Sequence, residues 1–206
     1  ILILIFKLLY DRLKQRAEAL KMERDMLQLE QKALRLQMNP HFIFNALNSI
    51  QSLIVKKDEK TARYYLAKFS KLMRGILENS RDERITVEQE VQTLDNYLTL
   101  EKFSRGDSFE FEIEVSSEIE TEEERIPPMM IQPFVENAIV HGIAHRESGG
   151  KVEVNFEKEG GYLKCTITDN GIGREAASKV KSQQSEYHKS TALTVTQERL
   201  DILNAG

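Results

Sequence analysis

The sequence predicts an α+β protein in which an N-terminal coiled-coil and helical-bundle region, suited to dimerisation, gives way to an α/β domain. Three observations carry this prediction. Leucines recur every seven residues in the first helix, helical periodicity resumes after Pro40 and continues to about Phe103, and from Phe109 the apolar period drops to two.

Composition narrows the possibilities. The 206 residues are enough for one large or two small domains with a buried core. Charge is nearly balanced, 29 Lys+Arg against 33 Asp+Glu, so no single-sign field favours a nucleic-acid backbone, and direct nucleic-acid binding is not expected. The lone cysteine, Cys165, excludes an internal disulfide and a multi-cysteine metal site, and it suits a reducing compartment. Its place in the alternating run LKCTI reads as a buried strand thiol.

The opening run ILILIFKLLY is too short to span a bilayer, which needs about 20 residues. Lys7, Arg12, Lys14 and Arg16 follow in close order, the pattern found on the cytoplasmic side of a membrane helix. Residues 1–10 are therefore expected to be the end of a transmembrane segment in the cell inner membrane, with the rest cytoplasmic. The competing reading is the start of a buried amphipathic helix.

Residues 11–38 are expected to form a coiled coil. Leu13, Leu20, Leu27 and Leu34 make one seam, and Met22, Met26, Leu29, Ala33 and Leu36 step by four and three on the opposite side. A homodimer that widens into a bundle would bury both faces, although Arg24 and Gln31 flank the seam.

Residues 39–84 are expected to hold two further helices. Pro40 cannot donate to the carbonyl four residues back, so the leucine helix should kink or restart there, with Asn39 as cap and Pro40 in the first turn. The next helix should run from about Glu59 to Asn79 with Ala62, Leu66, Phe69, Met73 and Ile76 on one stripe. Residues 85–206 are expected to form the α/β domain. Thr86 and Gln89 match a capping box for a helix reaching about Phe103, and SRGD ends it. Strands are expected at 109–115, 151–156 and 162–168, with helices from Pro133 and from about Thr194.

The stretch QMNPHFIFNALN raises the question of chemistry. At helical spacing His41, Asn45, Asn48 and Ser52 share one stripe, while Ile43, Ala46, Leu47, Ile50 and Ile54 lie opposite, so the histidine faces away from the core. Its companions are amides, poor transition-metal ligands that can orient an imidazole or donate to a phosphoryl group. A nucleophilic imidazole is therefore the sharper reading, against the ordinary one of a surface histidine.

Two later stretches offer a ligand site. In IPPMMIQPFVENAIVHGI, Pro133 starts a helix whose Phe134, Val135, Ala138 and Ile139 form the buried side, with Asn137 and His141 one turn apart at its edge and Glu136 about 100° away. In ITDNGIG a strand ends in Asp169 and Asn170, and Gly171 and Gly173 permit close backbone approach.

Taken in order, NPHFIFNALN, TVEQEVQTLDNYLTLEKF, IPPMMIQPFVENAIVHG and TDNGIG resemble the LytS/YehU-type sensor histidine kinases over roughly residues 30–206. The resemblance implies a dimerisation and phosphoacceptor region followed by an ATP-binding α/β sandwich of the GHKL type. It implies ATP and Mg²⁺ as ligands and a response regulator as partner. His41 would be the phosphoacceptor, assisted by Asn45 and Asn48. Asn137 would hold Mg²⁺, with Glu136 and His141 nearby, Asp169 would read the adenine amino group, and Gly171 and Gly173 would shape the pocket. The loop from about Arg174 to Thr191 would cover the phosphates.

The chain departs from that pattern in places. Phe42, not an acidic residue, follows His41, which leaves the general base unassigned. No glycine lies between Gly173 and Gly206, so Lys189, Ser190 and Thr191 would have to supply donors to the phosphates, and His188 reads as solvated. The resemblance implies at least one more strand beyond Gly206, the alternative being a minimal fold. These departures keep two other functions open: a dimeric nucleotide-binding scaffold without transfer, and an ATP-driven clamp.

Overall fold

The computed structural model describes residues 40–143 and 149–173, with isolated helical positions at Lys7, Tyr10, Arg12, Lys14 and Arg16. The leucine seam, the Asn39 cap, the loop from Arg174 and the helix from about Thr194 lie outside the described residues. The chain divides into Ile1–Asn39 and a second compact unit that starts at Pro40, whose architecture follows. Among the described residues no helix is long and apolar enough to cross a membrane.

Helix α1 spans Pro40–Val55 and buries Phe42, Ala46 and Ile50, one residue per turn. This corrects part of the sequence expectation: Leu47 and Ile54, placed on the core side, are 41% and 60% exposed, and Phe44 is 66% exposed. The helix carries apolar residues on more than one side, and periodicity alone does not say which side meets the neighbouring helices. Its end is a left-handed turn at Lys57 (φ 61°), where Lys57 N–H donates to Ile54 O at 3.0 Å and Asp58 N–H to Leu53 O at 3.0 Å. Asp58 then caps the next helix by accepting from Thr61 N–H at 3.2 Å.

Helix α2, Glu59–Asn79, occupies the expected residues and buries Ala62, Leu72 and Ile76. Leu66, expected on its core stripe, is exposed. At its end the buried Asn79 amide donates to Thr93 Oγ1 at 3.3 Å, tying it to helix α3, Val87–Ser104. Helix α3 begins with the expected capping box: Gln89 N–H donates to Thr86 Oγ1 at 3.2 Å and Thr86 N–H to Gln89 Oε1 at 2.9 Å. It touches α1 and α2 on one hand and the strands β1 (Ile85–Thr86) and β2 (Phe109–Val115) on the other. The helices lock through rings, Phe42 against Tyr97 at 4.9 Å and Tyr65 stacked on Phe103 at 3.7 Å.

Short β1 pairs antiparallel with β3 (Arg125–Ile126). The main sheet has the order β2-β4-β5, with β4 at Gly150–Glu159 and β5 at Tyr162–Asp169. Strand β2 runs parallel to β4, in register from Phe109 opposite Gly150 to Val115 opposite Phe156, and β5 returns antiparallel. Phe109, Val152, Val154 and Phe156 are buried while Glu110, Glu112 and Glu114 face outward, as the period of two requires. Cys165 is half-buried rather than fully buried, on an outer strand of the sheet.

A parallel pair needs a long crossover. Between β2 and β4 it carries β3, helix α4 (Gln132–Asn137) and a π-helical turn at Ala138–Gly142. Helix α4 starts one residue before Pro133, with Val135, Ala138 and Ile139 buried as expected and Phe134 only half-buried.

Candidate functional site

The first candidate place is the start of α1. His41 is exposed, as are Asn48 and Ser52, and Asn45 is half-buried, so the polar stripe holds. Asn45 Nδ2 lies 3.2 Å from His41 Nδ1 and 3.3 Å from Nε2. In a neutral imidazole one ring nitrogen donates and the other accepts, so the amide donates to the nitrogen that lacks hydrogen and fixes the ring's orientation. The backbone beneath is held by Phe42, only 5% exposed and packed on Tyr97. An accessible imidazole on an anchored backbone can meet an incoming electrophile without local rearrangement.

The second place forms where the π-helical turn meets the loop after β5. A Cβ on Gly142 would lie 2.3 Å from Asp169 Oδ1, and one on Gly171 would lie 2.2 Å from the Gly142 carbonyl carbon. Glycine at 171 lets the two backbones approach this closely, and at 142 a side chain would collide with the Asp169 carboxylate. Ile172 N–H donates to Gly142 O at 3.2 Å, and Asp169 Oδ1 accepts from Gly171 N–H at 2.9 Å. Asn170 pins the loop to the sheet, its Oδ1 accepting from Lys151 N–H at 2.8 Å and its Nδ2 donating to Gly149 O at 3.0 Å. The Asp169 carboxylate is thereby fixed at the exposed mouth of the strand.

Of the residues expected here, Asp169 and Gly171 come together with the end of the IPPMMIQPFVENAIVHG stretch. Asn137 is half-buried at the last position of α4, Glu136 beside it is half-buried, and the His141 backbone lies in the π-helical turn. Gly173 has φ 78° and would carry no clash from a Cβ. His41, Asn45 and Asn48 form their own cluster on α1. The side chains of Asn137 and Glu136 offer hard oxygens of the type magnesium prefers. Among the described residues no group of three or more His, Cys, Asp or Glu could hold a metal by itself, so phosphate oxygens and waters would have to supply most of the coordination.

Burial tunes the surroundings. Glu90 of α3, 1% exposed, is pushed up to about 7 by burial, opposed by the N–H groups of Met129 and Ile131 that point at it. Tyr97 is raised well above its ordinary value, first by burial and then by the charges of Glu101 and Glu136. Burial pushes the Cys165 thiol up to about 12, with Glu90 adding to the shift, so this thiol is not a nucleophile.

Sequence reasoning passed over Gly142 and Glu90. Nothing in spacing shows what Gly142 packs against. Glu90 did leave a signal: with Val87, Leu94, Tyr97 and Glu101 it follows the three-and-four step of the buried side of α3, where a carboxylate is out of place unless it has partners.

A family model described as histidine kinase matches residues 29–109, which contain His41 and helices α1 to α3. The relatives sharpen this. The chain is 34% identical over 178 residues to the sensor protein LytS of Streptococcus agalactiae serotype V, covering 84% of this chain and 30% of that protein. It is 34% identical over 180 residues to LytS of Streptococcus mutans serotype c, with 84% and 30% covered. It is 35% identical over 144 residues to the sensor histidine kinase YpdA of Escherichia coli K12, with 70% and 25% covered. The chain belongs to the LytS-type histidine kinases, and it spans about a third of the length of these curated relatives or less.

Proposed function

We propose that the chain is the catalytic portion of a membrane-anchored, homodimeric sensor histidine kinase. It transfers the γ-phosphoryl group of ATP to His41 and then passes it to an aspartate of a response regulator. Residues 39–84 carry the acceptor and residues 85–206 bind the nucleotide. The observation that most supports this is the contact of Gly142 with Asp169 and Gly171, which joins two motifs distant in sequence into one rigid edge. His41, exposed on α1, is the nucleophile the reaction needs.

In the transfer a ring nitrogen of neutral His41 donates its lone pair to the γ-phosphorus, the bond to the β,γ-bridging oxygen breaks, and ADP leaves with that electron pair. Asn45 orients the resting ring by donating to the nitrogen that lacks hydrogen, and that nitrogen attacks once the amide lets go. Asp169 binds the adenine amino group. Asn137, with Glu136 beside it on α4 and His141 in the turn that follows, would hold Mg²⁺, which would offset the negative charge of the phosphates. In the second step an aspartate oxygen of the regulator attacks phosphorus and the P–N bond breaks.

Incubation with γ-labelled ATP and Mg²⁺ tests this. Acid-labile, alkali-stable label is expected on the wild type and on neither His41→Gln nor Asn137→Ala. The missing lid glycines favour one alternative, a nucleotide-binding scaffold, and bound ATP with no label under any regulator or lipid condition would establish it instead.

A further inference from the structure

Helix α4 has no cap of its own. Ile131, at its N-cap, makes no side-chain hydrogen bond to the helix, and Pro133 removes one of the first N–H donors. The residue two before that cap, Met129, holds a left-handed backbone (φ 59°), a conformation that costs a non-glycine residue free energy unless its surroundings enforce it. The enforcing group comes from 40 residues earlier in the chain. Glu90 Oε2 accepts from Met129 N–H at 3.3 Å and its Oε1 from Ile131 N–H at 3.4 Å, one carboxylate gripping both ends of the turn. The same α3 holds the approach to this turn, with Val87 N–H donating to Glu124 O at 2.9 Å and Glu88 N–H to Thr121 O at 3.0 Å.

Resting on the proposed nucleotide site, we infer that Glu90 is the positioning residue for α4: by gripping the Met129–Ile131 turn it sets where Asn137 stands relative to the Asp169–Gly171 edge. Glu90 touches neither nucleotide nor metal in this role. The two N–H donors favour the ionised carboxylate, but burial favours the neutral one by more. The titratable side chain that faces Glu90 is Cys165 of β5, which stays neutral across the titration of Glu90, and no cation among the described residues offsets the burial. By linkage the closed turn, which holds the Glu90 proton more tightly than an opened one, loosens as pH rises through about 7.

The test uses this chain as wild type, Glu90→Gln and Glu90→Asp. Binding of a fluorescent ATP analogue with Mg²⁺ is measured on both sides of pH 7, together with amide hydrogen exchange over residues 127–137 and over β4. In Glu90→Gln the Met129 and Ile131 amides should exchange about 10-fold faster while β4 is unchanged, and the analogue should bind about 10-fold more weakly. The wild type should show an affinity that falls as pH rises through about 7, and the variant should lack that inflection. Should Glu90→Gln fail to fold, Glu90→Asp keeps the charge but falls one methylene short, and an intermediate loss of protection and affinity is expected. Unchanged exchange at Met129 and Ile131, or faster exchange with wild-type affinity and pH profile, would overturn the inference and leave Glu90 a buried core residue. If the wild type binds no nucleotide, the kinase reading fails by itself, and the exchange data alone then decide whether Glu90 holds α4.

Discussion

The two functional places are built in opposite ways. The start of α1 presents its histidine to solvent and is held through side chains, with Phe42 packed on Tyr97. In the Gly142–Asp169–Gly171 edge the Gly171 backbone lies against that of Gly142, at a separation that excludes even a methyl group. The difference suits an acceptor that must meet a substrate from outside and a site that must recognise one in a fixed pose. Side-chain contacts can be loosened and remade, while interlocked backbones are pre-organised.

Substitutions should separate the two. Phe42→Ala removes a buried ring from between α1 and α3 and is expected to cost about 3–5 kcal/mol by chemical denaturation, with α1 loosened more than the sheet. If α1 and β4 lose hydrogen-exchange protection equally, the two places are not independently held. The buried Glu90 gives the next largest effect, through pH. Its folded value of about 7 lies above its ordinary 4.5, so the folded state holds this proton more tightly than the unfolded chain. Stability from this group is full below pH 4.5, falls by about 3 kcal/mol as pH rises to about 7, and is level above. Denaturation midpoints across that window should show the fall in the wild type and lack it in Glu90→Gln.

Gly171→Ala forces a methyl group against the Gly142 backbone and should cost about 1–3 kcal/mol while abolishing nucleotide binding and sparing α1. Calorimetric titration with Mg-ATP reads this directly, and retained binding would show that the edge has slack. Asn45→Ala should lie at the other extreme, changing stability by less than about 0.5 kcal/mol yet slowing labelling of His41, because the amide orients an exposed ring.

The contrast also shows what a sequence discloses. Local rules were enough for α2 at Glu59–Asn79, for the Thr86–Gln89 capping box and for the alternation of β2, because each is decided by neighbours within a turn or a pleat. The polar stripe of α1 was legible for the same reason. Its apolar side was not: Phe44, Leu47 and Ile54 satisfy the same period as Phe42, Ala46 and Ile50, and tertiary packing alone chooses between them. The parallel pairing of β2 with β4, the π-helical turn and the close approach at Gly142 depend on partners far along the chain, and no local pattern encodes them. Asp169 and Gly171 could be singled out as residue types suited to a ligand, but not the backbone they lean on.

The central claim is that His41 accepts the phosphoryl group. Mass spectrometry at alkaline pH after incubation of the protein with Mg-ATP locates that group directly. Phosphorylation is expected on the peptide containing residues 39–48, at the imidazole of His41. A phosphoryl group found only on another residue, or nucleotide bound with no phosphorylated residue, would contradict it.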